Sequence, residues 1–242
     1  MPSMLGVAPQ LAEAFHNGGG IAFGEYHPEM IDAIDRINRG NYQQRFTDYW
    51  LKAIPEVMDK LNRGGAALDV GCGVGVVSLT LAEAFPNSHF VGIDTHENSI
   101  TKAMDSAKAS GKASNIHFKH QSIDALDEQF DLITLCDCLH DLIQPEAVLN
   151  AIKQRLKPEG VLFIIEPKVE DNLEENINPI AAMLYGFSVF HCMTQSLAEG
   201  GPGLGACMGP AKTESLVRDA GFTSFEMLSI KSQFNHFYAA RV

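Results

Sequence analysis

The stretch Leu68-Asp69-Val70-Gly71-Cys72-Gly73-Val74-Gly75 constrains the fold of this chain more than any other part of its sequence. It begins within the apolar run 66–70 and leads into the helical pattern 76–84. Glycines at such a junction let the backbone approach a ligand without interference from Cβ atoms. The stretch therefore predicts a β-strand, a ligand-binding loop and an α-helix in succession.

Short apolar runs alternate with helical patterns after this loop. The sequence predicts strands at 66–70, 90–93, 116–118, 132–135 and 161–165, and helices near 76–84, 98–109 and 145–156. Alternation at this spacing indicates βαβ units and a mostly parallel sheet, so the predicted fold class is α/β. Further on, the sequence predicts a long apolar helix at 179–198, a helix at 212–220 and a terminal hairpin from segments 222–230 and 234–242.

The residues before the loop form a separate helical pattern. Apolar residues recur at three- and four-residue steps over 29–61, which predicts a helix that ends at Gly64-Gly65. We therefore divide the chain into an N-terminal helical cap, residues 1–63, and a ligand-binding domain, residues 64–242. A chain of 242 residues is long enough to bury a sizeable core.

Composition excludes several classes of function. The formal net charge is -12, and no lysine or arginine occurs before Arg36, so nucleic acid and anionic membrane surfaces are unfavourable partners. No apolar run approaches the roughly 18 residues that a membrane span needs, and a basic secretory signal is absent. The five cysteines form no Cys-x-x-Cys pair, which predicts reduced thiols and a cytoplasmic protein. Cys136, Cys138 and His140 are spaced too closely for a structural zinc site, so we predict no metal.

The glycine loop does not fit a dinucleotide, because Val76 occupies the position where a dinucleotide-binding loop has a small residue. Asp69 would also repel a pyrophosphate. S-adenosylmethionine suits such a loop, since it carries an ammonium, a sulfonium and no phosphate. Asp94 ends the second predicted strand, where an acid can hold two ribose hydroxyls or, alternatively, cap the following helix.

These motifs together resemble those of class I S-adenosylmethionine-dependent methyltransferases. The resemblance rests on the glycine loop, then Gly92-Ile93-Asp94, Phe130-Asp131-Leu132-Ile133 and Leu156-Lys157-Pro158-Glu159-Gly160. It implies a Rossmann-like, seven-stranded, mostly parallel sheet with one antiparallel strand. It also implies a cofactor site that contains Asp69, Gly71, Cys72, Gly73, Gly75, Asp94, Thr95, Ser122, Ile123 and Cys136. Ser122 stands where the family usually has an aspartate that accepts from the adenine amino group.

The acceptor side contains a histidine after the fourth strand and a glutamate after the fifth. The stretches Leu139-His140-Asp141 and Ile164-Ile165-Glu166-Pro167 resemble the small-molecule O-methyltransferases of plant phenolics. That resemblance implies His140 as general base, Glu166 as the residue that orients it, and Asp141 as a substrate or neighbouring contact. We therefore expect methyl transfer to an oxygen of a small molecule. N-, S- or C-methylation without a base, and a non-catalytic cofactor-binding protein, remain the alternatives.

A second resemblance concerns the long helix and the loop that follows it. Ser188-Val189-Phe190-His191-Cys192 and the glycine loop 200–205 resemble a bacterial group in which a winged-helix module precedes the methyltransferase half. The leader is too short for that module, so we expect it to be absent from this chain. Tyr42, Phe187 and His191 are our candidates for substrate binding. The loop is either a flexible lid or a plain connection, and the oligomeric state stays open.

Overall fold

A computed structural model describes residues 2–111 and 114–242. In this part of the chain, seven strands form one sheet in the order β3-β2-β1-β4-β5-β7-β6. The strands are β1 Ala66–Val70, β2 His89–Asp94, β3 Ile116–His120, β4 Phe130–Cys136, β5 Leu156–Pro167, β6 Ser224–Met227 and β7 Asn235–Arg241. Strands β1 to β5 run parallel, whereas β7 is antiparallel to both of its neighbours. The predicted Rossmann-like α/β fold with a terminal antiparallel hairpin is confirmed.

Helices cover both faces of the sheet and the end at which its parallel strands finish. They are α1 Pro2–Leu5, α2 Ala8–Asn17, α3 Glu29–Arg45, α4 Pro55–Asn62, α5 Val76–Ala84, α6 Glu97–Ser110, α7 Pro145–Arg155, α8 Pro179–Phe187, α9 Met193–Ala198 and α10 Gly209–Asp219. Among the residues described, no helix is both long and apolar enough to cross a bilayer.

The core lies on the two faces of the sheet, because successive strand residues point to opposite sides. On β1, Ala67 belongs to the apolar cluster on one face, whereas Leu68 and Val70 belong to the cluster on the other. Trp50 is buried in the first cluster and packs against Phe237 of β7, with 5.0 Å between ring centroids. Both faces are therefore covered, as a parallel sheet requires.

The N-terminal segment is attached to the helices that follow β5. The Ile21 N–H donates to both the carbonyl (3.1 Å) and the hydroxyl (2.9 Å) of Thr194, and the Tyr26 hydroxyl donates to the Phe190 carbonyl at 2.6 Å. A third apolar cluster fills the space between these elements and includes Met30. The attachment places the N-terminal segment over the carboxyl ends of the strands.

Two predicted helices are interrupted. In place of the single helix expected over 29–61, α3 ends at Arg45, a π-turn follows over Phe46–Trp50, and α4 begins at Pro55. Proline explains the second start, since it lacks an N–H and disfavours a helical residue before it. The helix expected over 179–198 likewise contains a π-turn, Ser188–Cys192, between α8 and α9. Each π-turn inserts an extra residue and changes which face the following side chains occupy.

Candidate active site

The strand order reverses between β1 and β4, and a cavity of about 560 Å³ opens at the carboxyl ends of these strands. Open α/β sheets bind their ligands at such a switch point, and this volume is within the usual range for small-molecule sites. Carboxylates dominate the charged groups of the lining: Asp35, Asp69, Asp94, Asp124, Asp137, Asp141 and Glu199. Of the residues that the structure describes along the cavity, only Arg39 is a lysine or arginine, and its guanidinium lies 2.8 Å from the Asp35 carboxylate. The cavity is therefore suited to a cationic ligand.

The glycine loop forms the floor of this cavity. Gly73 has φ +54°, and a Cβ added there would meet no atom within 4 Å, so its backbone faces open space. Gly71 has φ +66°, but a Cβ there would lie 2.3 Å from the Cys138 sulfur. Gly73 thus leaves room for a ligand, whereas Gly71 lets the loop pack on the turn after β4. Gly75 does not line the cavity and instead packs against Phe118.

Asp69 lies at the back of the loop, on β1. It is buried, and each of its oxygens accepts a 2.7 Å hydrogen bond, one from Ser78 and one from Thr134. Burial raises the pKa of Asp69 to about 6, although the two hydrogen bonds act in the opposite direction. A buried carboxylate of this kind is stabilised when a cation approaches.

Asp94 ends β2 and holds the loop from the opposite side. Its Oδ2 accepts from the Gly73 N–H and its Oδ1 from the His96 N–H, both at 2.8 Å. His96, rather than Asp94, is the N-cap of α6, because its Nδ1 accepts from the Ser99 N–H. Asp94 and Thr95 both line the cavity. Each carboxylate oxygen of Asp94 retains a second lone pair for a ligand.

The far end of the cavity is formed by the turn after β3. Ser122 and Ile123 line it as the sequence predicts, and so do Gln121 and Asp124. Asp124 was missed by sequence reasoning, although an acid two residues after Ser122 was a signal. The aspartate that the family usually has at this position, where it accepts from the adenine amino group, is replaced by Ser122. Another carboxylate, that of Asp124, lies on the same turn.

His140 and Glu166 come together as the sequence predicts. Glu166 Oε2 lies 2.6 Å from His140 Nδ1, and Glu166 Oε1 accepts from the Leu139 N–H at 3.0 Å. Both side chains are buried. Because β4 and β5 are adjacent and parallel, the residues after their carboxyl ends meet at one edge of the sheet.

Asp141 connects this pair to the cavity. His140 and Glu166 do not line the cavity, whereas Asp141 does, and its Oδ1 lies 3.4 Å from His140 Nε2. Burial acts to lower the pKa of His140, but the carboxylates of Glu166 and Asp141 outweigh it and raise that pKa well above its ordinary value. The imidazole is therefore a strong base that faces the cavity through Asp141.

Three donor atoms meet beside His140, which raises the question of a metal. His140, Asp141 and Cys192 offer ligand atoms within 4.8 Å of one another. However, burial and the Asp141 charge raise the pKa of the Cys192 thiol to about 12. A metal would have to displace protons from both Cys192 and His140, which opposes binding near neutral pH. Cys136 and Cys138 are not part of this group.

Asp137 is a site residue that sequence reasoning missed. It lies directly after β4, lines the cavity and has φ +48°, a conformation that non-glycine residues rarely adopt. Its oxygens accept from the Tyr42 hydroxyl at 2.5 Å and from the Asn235 amide at 3.0 Å. Burial raises the pKa of Asp137 to about 6. The backbone conformation leaves no signal in the sequence, but an acid at a strand end could have been noted.

The other predicted residues divide between the cavity and the surrounding core. Cys72, Cys136, Tyr42 and His191 line the cavity. Phe187 does not, because it packs against the apolar cluster of the N-terminal segment.

The glycine loop 200–205 lies against the candidate base. The Gly205 N–H donates to the His140 carbonyl at 3.1 Å, and the Gly201 N–H donates to the Ser196 carbonyl at 2.8 Å. A Cβ at Gly205 would lie 2.2 Å from the Ser188 hydroxyl, so close packing requires glycine there. The loop therefore supports the backbone of His140.

An acidic cavity at the switch point, with a glycine loop after β1 and an acid at the end of β2, is the site of a class I S-adenosylmethionine-dependent methyltransferase. The chain belongs to the family described as Methyltransferase domain, whose model matches residues 61–216. S-adenosylmethionine is the cofactor of this class. Gly73, Asp69 and Asp94 fit that molecule, since they combine open backbone with buried negative charge.

Relatives of known name agree with this class. The mitochondrial ubiquinone biosynthesis O-methyltransferase of Saccharomyces cerevisiae is 31% identical over 60% of this chain, and the match covers 43% of the yeast protein. The ubiquinone biosynthesis O-methyltransferase of Psychrobacter arcticus is 26% identical over 69% of this chain and 62% of its own length. The chain thus spans less than two thirds of these relatives.

Solved structures share the fold. Human N-acetylserotonin methyltransferase superposes with a TM-score of 0.61 at 21% identity, covering 99% of this chain and 70% of the human one. A protein from Nostoc punctiforme PCC 73102, named as a candidate O-methyltransferase, superposes with a TM-score of 0.72 at 21% identity, covering 99% and 69% of the two chains. At these identities the likeness concerns the fold alone.

Proposed function

We propose that this chain transfers the methyl group of S-adenosylmethionine to a hydroxyl oxygen of a small molecule, with His140 as general base. The observation that carries the proposal is the 2.6 Å contact between His140 Nδ1 and Glu166 Oε2, next to a cavity suited to the cofactor. A buried carboxylate on Nδ1 leaves Nε2 as the basic nitrogen and orients the ring. This is the arrangement that an oxygen acceptor needs, because its hydroxyl must lose a proton.

The cofactor would be held by residues at the ends of β1, β2 and β4. Gly73 admits it to the loop, Asp94 offers free lone pairs to ribose hydroxyls, and Asp69 and Asp137 supply negative charge for its cationic end. When bound, the cofactor supplies an electrophilic methyl group on a positively charged sulfur. Arg39 also lines the cavity, where its charge is paired with Asp35.

The proton balance of the reaction involves two neighbouring side chains. The acceptor oxygen forms its bond to the methyl carbon as the bond from carbon to sulfur breaks, and the hydroxyl proton passes by way of the Asp141 carboxylate to His140 Nε2. Asp141 lines the cavity 3.4 Å from that nitrogen, so it contacts the acceptor and stabilises the imidazolium that forms. Glu166 stabilises the same cation from the opposite side of the ring.

The names of the relatives support oxygen as the acceptor atom, since the yeast and Psychrobacter proteins are both O-methyltransferases. Methylation of nitrogen, sulfur or carbon would not require the base, and a purely cofactor-binding protein would not need the pair at all. The close contact of His140 with Glu166 favours oxygen over these alternatives.

The test is transfer of labelled methyl from S-adenosylmethionine to a panel of phenols, carboxylic acids, amines and thiols, with His140→Ala beside the wild type. We expect labelled phenols, and a loss of at least about 100-fold in the variant, which is a general base's usual contribution. His16→Ala is a matched control, because His16 is exposed on α2. Transfer that survives in His140→Ala, or that appears only on amines or thiols, would exclude His140 as base. Cofactor binding without transfer to any acceptor would favour a binding protein.

A further inference from the structure

One wall of the cavity carries a row of polar side chains from the helix after β5. His191, Gln195 and Glu199 follow one another at four-residue steps, and all three line the cavity. The row lies beside the turn that bears the candidate base, because the Ser196 hydroxyl on α9 donates to the Leu142 carbonyl at 3.4 Å. It therefore borders the acceptor side of the cavity.

The polar groups of this row are free to meet a ligand. His191 is 6% exposed, and its Nδ1 has no hydrogen-bond partner among the residues described. The side chains of Gln195 and Glu199 likewise make no hydrogen bond or ion pair with any residue that the structure describes. A buried polar atom without a partner is costly, so an empty nitrogen at a cavity wall points to a ligand group.

The row changes character along its length. At its inner end, burial lowers the pKa of His191, so a neutral imidazole lies against the rings of Phe23 and Tyr26 at 5.6 and 5.1 Å. At its outer end, Glu199 is exposed at the cavity mouth. Glu199 lies just past the end of α9, and the eight residue steps that separate it from His191 span about 12 Å at the rise of an α-helix, which is the length of an aromatic ring with a short side chain.

The charges at the outer end of the row limit which acceptors can bind. A carboxylate on the outer end of an acceptor would face Glu199, and Arg39 is already paired with Asp35. An ammonium or a hydroxyl would instead be attracted or hydrogen-bonded by Glu199. Leu142 and Ile143 add apolar side chains to the lining of the cavity.

We propose that His191, Gln195 and Glu199 select the acceptor, and that it is a phenol whose far end carries an ammonium or another hydrogen-bond donor. The proposal rests on the proposed O-methyl transfer for the phenolic end, but the row itself acts in binding. Glu199 determines the charge preference, and Gln195 and His191 hydrogen-bond along the length of the molecule.

The test measures binding separately from transfer. Three phenols with a para chain of equal length, ending in an ammonium, a hydroxyl or a carboxylate, are titrated by calorimetry into the enzyme saturated with S-adenosylhomocysteine. We expect the ammonium compound to bind about five-fold tighter than the hydroxyl compound, and the carboxylate compound about five-fold weaker. These factors correspond to the interaction of one pair of charges in water. Methyl transfer to the same compounds is measured in parallel.

Variants assign the preference to Glu199. Glu199→Gln should bring the three affinities within about two-fold of one another, and Glu199→Lys should reverse the order. Glu83→Gln, an exposed residue on α5, is the control and should keep the wild-type order. Wild-type order retained in Glu199→Gln, a tighter carboxylate, or no binding of any of the three would overturn the proposal. If the three compounds bind in the expected order of affinity but none is methylated, the proposed function is contradicted, whereas the proposed role of His191, Gln195 and Glu199 in binding is supported.

Discussion

Glu166 fixes His140 through one carboxylate oxygen and the backbone of the same turn through the other. Its Oε2 lies 2.6 Å from His140 Nδ1, and its Oε1 accepts from the Leu139 N–H at 3.0 Å. Glu166, near the end of β5, thus holds both the imidazole of His140 and the backbone that carries it.

Replacing Glu166 by glutamine should lower the maximal rate of methyl transfer to an oxygen acceptor by about 100-fold. The amide keeps the size of the side chain but removes the charge that stabilises the imidazolium. The loss of that charge lowers the pKa of His140, so the acid limb of the rate–pH profile should move to lower pH while its plateau falls. Stopped assays with saturating cofactor across the pH range measure both effects. An unchanged limb with a reduced plateau would mean that Glu166 does not act on the charge of His140.

The wild-type rate should rise with pH and reach half its maximum well above 6.5, the ordinary value for histidine. The cause is the raised pKa of His140, since only the neutral imidazole accepts a proton. An acceptor amine with its own high pKa would complicate the profile, so a neutral phenol is the substrate of choice. A rate–pH profile that reaches half its maximum at or below pH 6.5 would contradict the role of His140 as general base.

Gly73→Ala should weaken cofactor binding by about ten-fold or more, equivalent to roughly 1.4 kcal/mol, because the new methyl group points into the open cavity. Gly111→Ala is the matched control: its φ is +63°, its Cβ also meets no atom within 4 Å, and it lies at the end of α6. Both variants should lose about 1–2 kcal/mol of stability from backbone strain. Calorimetric titration with S-adenosylhomocysteine and thermal melts separate the two effects. Equal affinities in the two variants would show that Gly73 does not face the ligand.

Asp69→Asn should stabilise the ligand-free protein at pH 8 and weaken cofactor binding. The pKa of Asp69 is about 6 in the fold, against about 3.9 in an unfolded chain. Between these values the folded state holds a proton that the unfolded state has lost, so stability falls as pH rises through this window. Removing the charge should return up to about 3 kcal/mol at pH 8 and nothing below pH 4. Urea unfolding at both pH values measures the difference, and an equal change at both would contradict the prediction.

Tyr42→Phe should cost about 1–3 kcal/mol at pH 8, because it removes the hydroxyl that donates to the buried Asp137 at 2.5 Å. The cost should shrink at pH 5, since the pKa of Asp137 is about 6 and a protonated carboxyl needs fewer donors. Tyr49→Phe is the control, as its exposed hydroxyl only accepts a 3.4 Å hydrogen bond from Lys231. A loss that does not depend on pH would assign Tyr42 a packing role alone.

The fold was predictable from sequence because four of the five parallel strands, β1, β2, β4 and β5, are largely buried and contain short apolar runs. The predicted run 66–70 and the helix 76–84 match β1 and α5 residue for residue. The His140–Glu166 contact was also predictable, since adjacent parallel strands finish at one edge. Local patterns sufficed wherever a residue's position followed from the strand that carries it.

The parts that sequence reasoning missed depend on helical phase and on backbone conformation. The π-turn at Ser188–Cys192 changes the phase of the helix, so the predicted Phe187 packs in the core, whereas Gln195 and Glu199, which were not predicted, line the cavity beside the predicted His191. Asp137 reaches the site through a positive φ that composition does not reveal. The division into residues 1–63 and 64–242 stays a prediction.

The acidic lining of the cavity has a consequence for turnover. On the proposed reaction, the cavity receives a ligand with a positive sulfur and must release one whose sulfur is neutral. Its carboxylates favour the first over the second, and buried acids such as Asp69 and Asp137 contribute most because they are least screened by water. Methyl transfer itself therefore weakens the attraction between cavity and spent cofactor, and the same charges that favour capture of the substrate limit inhibition by the product.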